Sequence, residues 1–387
     1  MTTIPMVSDV SHEGSYYDKW FMVAVISLLA IGFLVVCSSS IEYSNKLYGS
    51  SFSIVIRHGI YIFIGLVAAL VIRQIPIAVW QKNDWILLLL GLALLVAVLI
   101  PGIGRLVNGS WRWIRLGPIG IQSSELMKFF LVIYISGYLI RRAEEVKSQW
   151  SGFLKPIVVL AIVIVLLLLE PDFGAVVVTL SAVLGMMFLG GVRASQFFVL
   201  VVVCSAAVGL LAIEQPYRVQ RLLAFTDPWS SENVFGSGYQ LTQALIAFGR
   251  GEWFGVGIGN SILKLFYLPE AHTDFVFAIL GEEYGLFGVM VVLALFTVLI
   301  ARIFVAGRLA EQKQQIFSAY VCYGIAIILA VQALINVGVN IGLLPTKGLT
   351  LPLLSYGGSS IVVTLGMLAF VARAYSEALS VSTEEAQ

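Results

Sequence analysis

Ten runs of about twenty apolar residues divide this 387-residue chain, and most are joined by short polar links. A helix needs roughly 20 such residues to cross the hydrocarbon layer. Only helices and closed barrels leave no backbone polar group unpaired there. The runs centre on 20–40, 54–72, 85–101, 126–140, 154–169, 174–191, 196–213, 284–304, 316–343 and 351–374. They predict an all-α integral membrane protein, a polytopic bundle of about ten transmembrane helices. Charged residues make up 12% of the chain, against about 25% in a soluble domain. A net charge of +1 offers no field for nucleic acid.

The links set the orientation. With the N-terminus cytoplasmic, twelve Lys and Arg of the short links fall inside and six outside, the bias that topology follows. Both termini are then cytoplasmic, with tails at 1–19 and 376–387 flanking a membrane domain at 20–375. The polar opening lacks a basic region followed by a small-residue cleavage site, so the first run reads as a retained anchor. One long link, about 215–273, falls between the seventh and eighth runs and so lies outside. Cys37, Cys204 and Cys322 each sit in an apolar run without metal-ligand spacing and read as packing residues.

Charge inside a membrane is costly, and it usually faces a cavity or a partner. Glu125 and Lys128 are three apart at the start of the fourth run, so they share a helix face. They read either as an ion pair pinning that helix or as the wall of a cavity. Gln332, Asn336 and Asn340 recur every four residues in the ninth run. They stack on one face, as interhelical glue or as the lining of a groove; continuity with Lys347 favours the groove. In "LPEAHTDFVFAILGEEYG", 268–285, Thr273 can cap a helix starting at Asp274, with Glu282 two turns deeper and Glu283 on the far side. His272 reads as an interfacial histidine. The long link adds Arg218, Arg221, Arg250 and Lys264. Its "GRGEWFGVGIGN", 249–260, follows no strand and ends in no Lys-Ser/Thr, which excludes the nucleotide-loop readings. Cations around one carboxylate suit a pyrophosphate and proton abstraction from a hydroxyl. The substrate class is a phosphorylated or sugar-bearing lipid, with a transporter still open.

"LLPTKGLTLPLLSYGGSS", 343–360, "LPEAHTDFVFAILGEE" and "GSGYQLTQALIAFGRGEWFGVGIGNS", 236–261, resemble the SEDS family (shape, elongation, division and sporulation). The resemblance spans about 20–375. The PTKGLTLPL form is more similar to the family's cell-division branch than to its elongation branch. Ser123 stands where the family often has Pro. The resemblance implies ten transmembrane helices and a peptidoglycan glycosyltransferase of the bacterial cytoplasmic membrane, acting at the septum. Such an enzyme joins lipid II to the nascent glycan strand, and the transfer inverts the sugar linkage. By the same resemblance the essential aspartate is Asp274, the Arg-Trp pair is Arg112 and Trp113, the Glu/Lys pair is Glu125 and Lys128, and the loop lysine is Lys347. Ser355 joins Arg218, Arg221, His272, Gln332, Asn336 and Asn340 as expected substrate or cavity residues. No cofactor is implied with certainty. A divalent cation, Mg2+ or Mn2+, is one candidate counter-charge for the pyrophosphate. The implied partner is a class B penicillin-binding protein, among other division membrane proteins. The eighth and ninth runs are the expected docking face, with Val292 and Ile327 pointing outward. A lipid II flippase and an elongation-type polymerase are the alternatives to a division polymerase, and a recruiting scaffold is a further one.

Overall fold

All ten apolar runs contain a helix at the expected place. The structure is a computed structural model that describes residues 18–107, 110–116, 119–214 and 216–384. Its helices are α1 (Lys19–Tyr48), α2 (Ser53–Gln74), α3 (Ile77–Lys82), α4 (Asp84–Leu99), α5 (Ser123–Arg141), α6 (Ala143–Ser148), α7 (Trp150–Leu169) and α8 (Phe173–Leu189). They continue with α9 (Ala194–Glu214), α10 (Pro216–Thr226), α11 (Ser231–Val234), α12 (Tyr239–Gly251), α13 (Val276–Gln312), α14 (Ile316–Asn340) and α15 (Ser359–Glu384). Seven are long and apolar enough to cross a membrane: α1, α2, α5, α7, α13, α14 and α15. Shorter apolar helices lie in α4, α8 and α9. The chain is a multi-pass, predominantly α-helical membrane protein. The expected N-terminal tail lies outside the described residues except for its last two, and the expected C-terminal tail continues α15 as far as Glu384.

Helix α5 has its apolar stretch 83% buried, whereas that of α2 is 17% buried and faces outward. Helix α14 packs on α13, α8 and α5, at the centre of the bundle. That placement corrects the expected docking positions. Val292 is buried at 1% exposure, and Ile327 is half-buried where it meets Gly185 of α8. The outward face of α13 is carried by Phe287 and Met290 instead.

Two departures from the sequence reading shape the face that carries the long link. The first is a three-stranded antiparallel sheet, β1 (Gly104–Val107), β2 (Ser110–Leu116) and β3 (Ile119–Gln122), inserted between α4 and α5. Trp113 pairs with Arg105 on one side and Gln122 on the other. The second is the stretch 341–358, whose part from 351 on is expected to begin the tenth span. It is irregular and threads into the bundle, with Leu351, Leu353 and Leu354 buried. Pro345 and Pro352 cannot donate to a helix ladder, so the buried backbone finds other partners. Asn336 Nδ2 donates to the Leu349 carbonyl (2.6 Å) and Gln332 Nε2 to the Thr350 carbonyl (3.4 Å). Leu351 N–H donates to Ser355 Oγ (2.8 Å).

Helix α13 breaks at Gly285, whose φ of 67° and ψ of −167° are non-helical. The chain after α12 closes on this break. Val256 and Gly257 N–H donate to the Glu282 and Glu283 carbonyls, and Leu286 and Phe287 N–H to those of Glu252 and Trp253. A Cβ on Gly285 would lie 2.4 Å from the Gly255 nitrogen. Gly285→Ala is therefore expected to cost more than the ~1–3 kcal/mol of backbone strain alone, because the obstructing atom is main chain. Thermal unfolding in detergent checks this. An unchanged midpoint would mean that the clasp yields freely.

Candidate active site

The residues that close the loop face come from five separate stretches. Arg112, on β2, reaches over the end of α7. Its Nε donates to the Glu170 carbonyl (3.2 Å), its Nη2 bonds the Pro171 carbonyl, and its Nη1 lies 4.0 Å from Asp172 Oδ1. Asp172 caps α8 through Ala175 N–H (3.2 Å) and accepts from Ser124 Oγ (2.9 Å) and Gln122 Nε2 (3.2 Å). Arg221, on α10, donates to the Thr346 carbonyl (3.2 Å). Lys347 Nζ stands 3.4 Å above the Phe173 ring, a cation–π contact. Arg112, Asp172, Phe173, Arg221, Lys347 and Gly348 line one cleft of about 120 Å³.

Asp274 stands at the edge of this cleft, in the turn before α13. The helix begins at Val276, and Thr273 is not its cap. Thr273 Oγ1 instead donates to Glu270 Oε2 (2.6 Å). The Asp274 carbonyl is fixed by the Nδ2 groups of Asn336 (2.9 Å) and Asn340 (3.1 Å). Its half-buried carboxyl is pushed up to about 7, by burial first and then by the negative charge of Glu270; Arg112 and Arg221 pull the other way and Asp172 adds to the rise. A carboxyl in that range exchanges a proton near neutral pH, as a general base must. Glu170, buried beside Arg112, is pushed up to about 8, chiefly by burial, with a smaller push from Asp172 and with the Ser123 hydroxyl opposing.

Gly348 sets where the Asp274 carboxylate can lie. A Cβ there would stand 2.9 Å from Asp274 Oδ2, tighter than van der Waals contact allows. Its φ is not in the left-handed region, so alanine meets a steric obstacle without backbone strain. Gly348→Ala is expected to displace the carboxylate and cut turnover by up to about 10²-fold, the scale of a 1 Å misplacement, with folding intact. The check is turnover measured alongside a melting curve. Full turnover would remove this spacing role.

The other residues singled out in the sequence divide between contact and support. Lys128 Nζ donates to Glu125 Oε1 (2.9 Å) and Gln332 Oε1 (3.2 Å), with all three buried. The pair is a bolt from α5 to α14 rather than an open cavity wall. The amide stripe of α14 is likewise buried and holds loop backbone, which corrects the groove reading. Ser355 closes the turn 351–355. His272 is buried between the rings of Tyr43 (4.8 Å) and Tyr356 (5.8 Å), and burial holds its imidazole below the usual range. Trp113 covers Gly120. The side chain of Arg218 lies outside the described residues. Glu282 accepts from Arg250, Ser261 Oγ and Ile262 N–H (3.0 Å), so the deep carboxylate fastens the long link to α13. Asp172, Glu170 and Gly348 went unrecognised as site residues. Glu170 and Asp172 lie in "EPDFG", 170–174, whose proline and glycine mark a helix break rather than a site.

Comparison with known proteins places this arrangement. The model of a cell cycle protein family, FtsW/RodA/SpoVE, matches residues 19–379. A relative from Hahella chejuensis, named a probable peptidoglycan glycosyltransferase FtsW, is 52% identical over 98% of this chain and 95% of its own length. One of the same name from Legionella pneumophila is 52% identical over 94% and 92%. Among solved structures, a chain of a peptidoglycan synthase complex that coordinates polymerization and crosslinking superposes with a TM-score of 0.76, at 26% identity over 94% of this chain and 98% of that one. The Thermus thermophilus rod shape determining protein RodA superposes at 0.69, with 27% identity over 93% and 96%. With a family model covering nearly its whole length and close relatives at half identity, the chain belongs to the FtsW/RodA/SpoVE family of cell cycle proteins.

Proposed function

We propose that this protein is a peptidoglycan glycosyltransferase of the cell-division branch, polymerising lipid II at the outer face of the bacterial cytoplasmic membrane during septal wall synthesis. The observation that carries the chemistry is a carboxyl poised near neutrality at the mouth of a cleft walled by Arg112, Arg221 and Lys347. Asp274 takes the proton from the 4-hydroxyl of the acceptor GlcNAc. The freed oxygen attacks C1 of the terminal MurNAc of the growing chain. The bond from C1 to undecaprenyl pyrophosphate breaks, and the α-linked donor becomes a β-1,4 product. Arg112, Arg221 and Lys347 offer the charge that a leaving diphosphate needs.

The donor set does not suit a divalent ion held by protein alone. Among the described residues no three His, Cys, Asp or Glu side chains converge to hold one. An Mg2+ or Mn2+ ion, if used, would take its ligands largely from the diphosphate, and the cleft cations would do the rest.

The cleft face is the outer one in this reading, with both termini cytoplasmic, as the Lys/Arg bias supports. The partner is a class B penicillin-binding protein that supplies the transpeptidase, alongside other division membrane proteins. The likeness to a chain of a synthase complex supports that pairing. A flippase needs a polar path through the bundle, and the α14 amides best placed to line one are committed to loop backbone. The test is polymerisation of lipid II by the purified protein, alone and with its penicillin-binding partner. Glycan strands are expected. Failure to polymerise with the partner present, together with lipid II flipping in vesicles, would replace the polymerase by a transporter.

A further inference from the structure

A second cavity, of about 420 Å³, lies away from the cleft, between α1 and α13 beneath the clasp. Ile31, Phe254, Ile258, Phe287, Val291 and Val292 line it. Two side chains with polar atoms also line it, Tyr284 and Glu283, the latter only 2% exposed. Its Oε1 accepts from Ser38 Oγ (2.6 Å) and Lys264 Nζ (2.8 Å). Its Oε2 is buried and has no hydrogen-bond partner among the described residues. An unmet buried acceptor costs about 1–3 kcal/mol, more when charged. Mostly apolar cavities of this size with a few fixed polar groups are the usual form of small-ligand sites.

We infer that this groove is a binding site for a membrane lipid, with its hydrocarbon chain along α13 and an uncharged hydroxyl of its head donating to Glu283 Oε2. The polarity runs the right way. Glu283 precedes the break, on the loop side, and Phe287, Val291 and Val292 follow it into the bundle's depth at about 1.5 Å per residue. The ammonium of Lys264 already balances the carboxylate, so the remaining oxygen calls for a neutral donor rather than a second cation. The width also selects the ligand. Helix α1 packs directly along α13, and a further helix about 10–12 Å across does not enter the space between them. The site is separate from the cleft and does not depend on the polymerase reading.

The experiment places the purified protein in phosphatidylcholine vesicles doped with phosphatidylglycerol bearing a photoreactive diazirine on one acyl chain. Its glycerol head supplies the hydroxyl. Adducts are expected on 254–258 and 286–292, several-fold above those on the outward face of α2 around Phe63. Val291→Trp, on the groove wall, should lower groove labelling about fivefold and leave α2 unchanged. Moving the diazirine chain to a phosphatidylcholine, whose head has no donor, should lower it by a similar factor, as one hydrogen bond would. Equal labelling of the two faces overturns the proposal. So does groove labelling indifferent to either Val291→Trp or head group.

Discussion

Asp274→Asn is expected to lower lipid II polymerisation by about 10²–10⁴-fold, the usual contribution of a general base. The amide keeps the shape of the side chain, and the carbonyl of residue 274 keeps its bonds from Asn336 and Asn340. The fold should therefore survive. In the unsubstituted protein the rate should fall as pH drops through about 7, because the protonated carboxyl cannot accept a proton. Stability moves the other way. The Asp274 carboxyl rises from an ordinary 3.8 to about 7 on folding, so the folded state holds the proton more tightly. That contribution is full below about 4 and is lost as pH rises through about 7. Above neutrality the ionised base strains the fold that carries it. The asparagine variant should accordingly melt higher than the unsubstituted protein at alkaline pH and the difference should shrink in acid. Near-normal turnover of the purified variant would remove Asp274 from the role of base.

The second large effect lies in the bolt between α5 and α14. Glu125→Ala and Lys128→Ala should each destabilise by about 3–5 kcal/mol, since either leaves a buried charge without its counter-ion. Removing both should cost less than the sum, with a coupling of about 0.5–3 kcal/mol. Lys128 also donates to Gln332, so Glu125→Ala leaves it one partner and should be the milder change. Unfolding of the four proteins in one detergent gives the cycle. Strict additivity would show that the pair is not energetically joined.

The bundle was legible in the sequence because apolar length is a one-dimensional property. Each of the runs needed only its own residues to declare a helix. The sheet at 104–122 was harder to see. Its signal is a short alternation in "SWRWIRL" between Asn108-Gly109 and Gly117-Pro118, and in a chain of long apolar runs that link counts only through the charges of its arginines. The site was partly legible. Asp274 and Lys347 stood out as charges near lipid, and resemblance added Arg112 and gave the three their roles. What their positions could not show was which polar groups face the cleft and which hold the chain. Asn336, Asn340 and Gln332 have the spacing of a lined groove. They turn inward because the irregular stretch 341–358 enters the bundle and its carbonyls need donors. That need arises from tertiary structure and leaves no periodic trace. Gly348 was invisible for a similar reason, since its meaning lies in an Asp274 oxygen 74 positions earlier.

The break in α13 also bears on how a push from within the membrane would be felt at the Asp274 carboxylate. An unbroken rod passes torque from end to end. Here the long lower part, residues 286–312, and the short upper part, 276–284, meet at a joint that lacks the helical ladder. A partner that rolls or tilts the lower part does not turn Asp274 by stiffness of the helix. The motion passes through the crosspiece 252–257, which grips both sides of the joint, and on into α12. Along α13, mechanical communication between the lipid-facing bundle and Asp274 is thus routed sideways, through main-chain hydrogen bonds of a surface link, while the amides of α14 that hold the Asp274 carbonyl offer the direct path from a spanning helix.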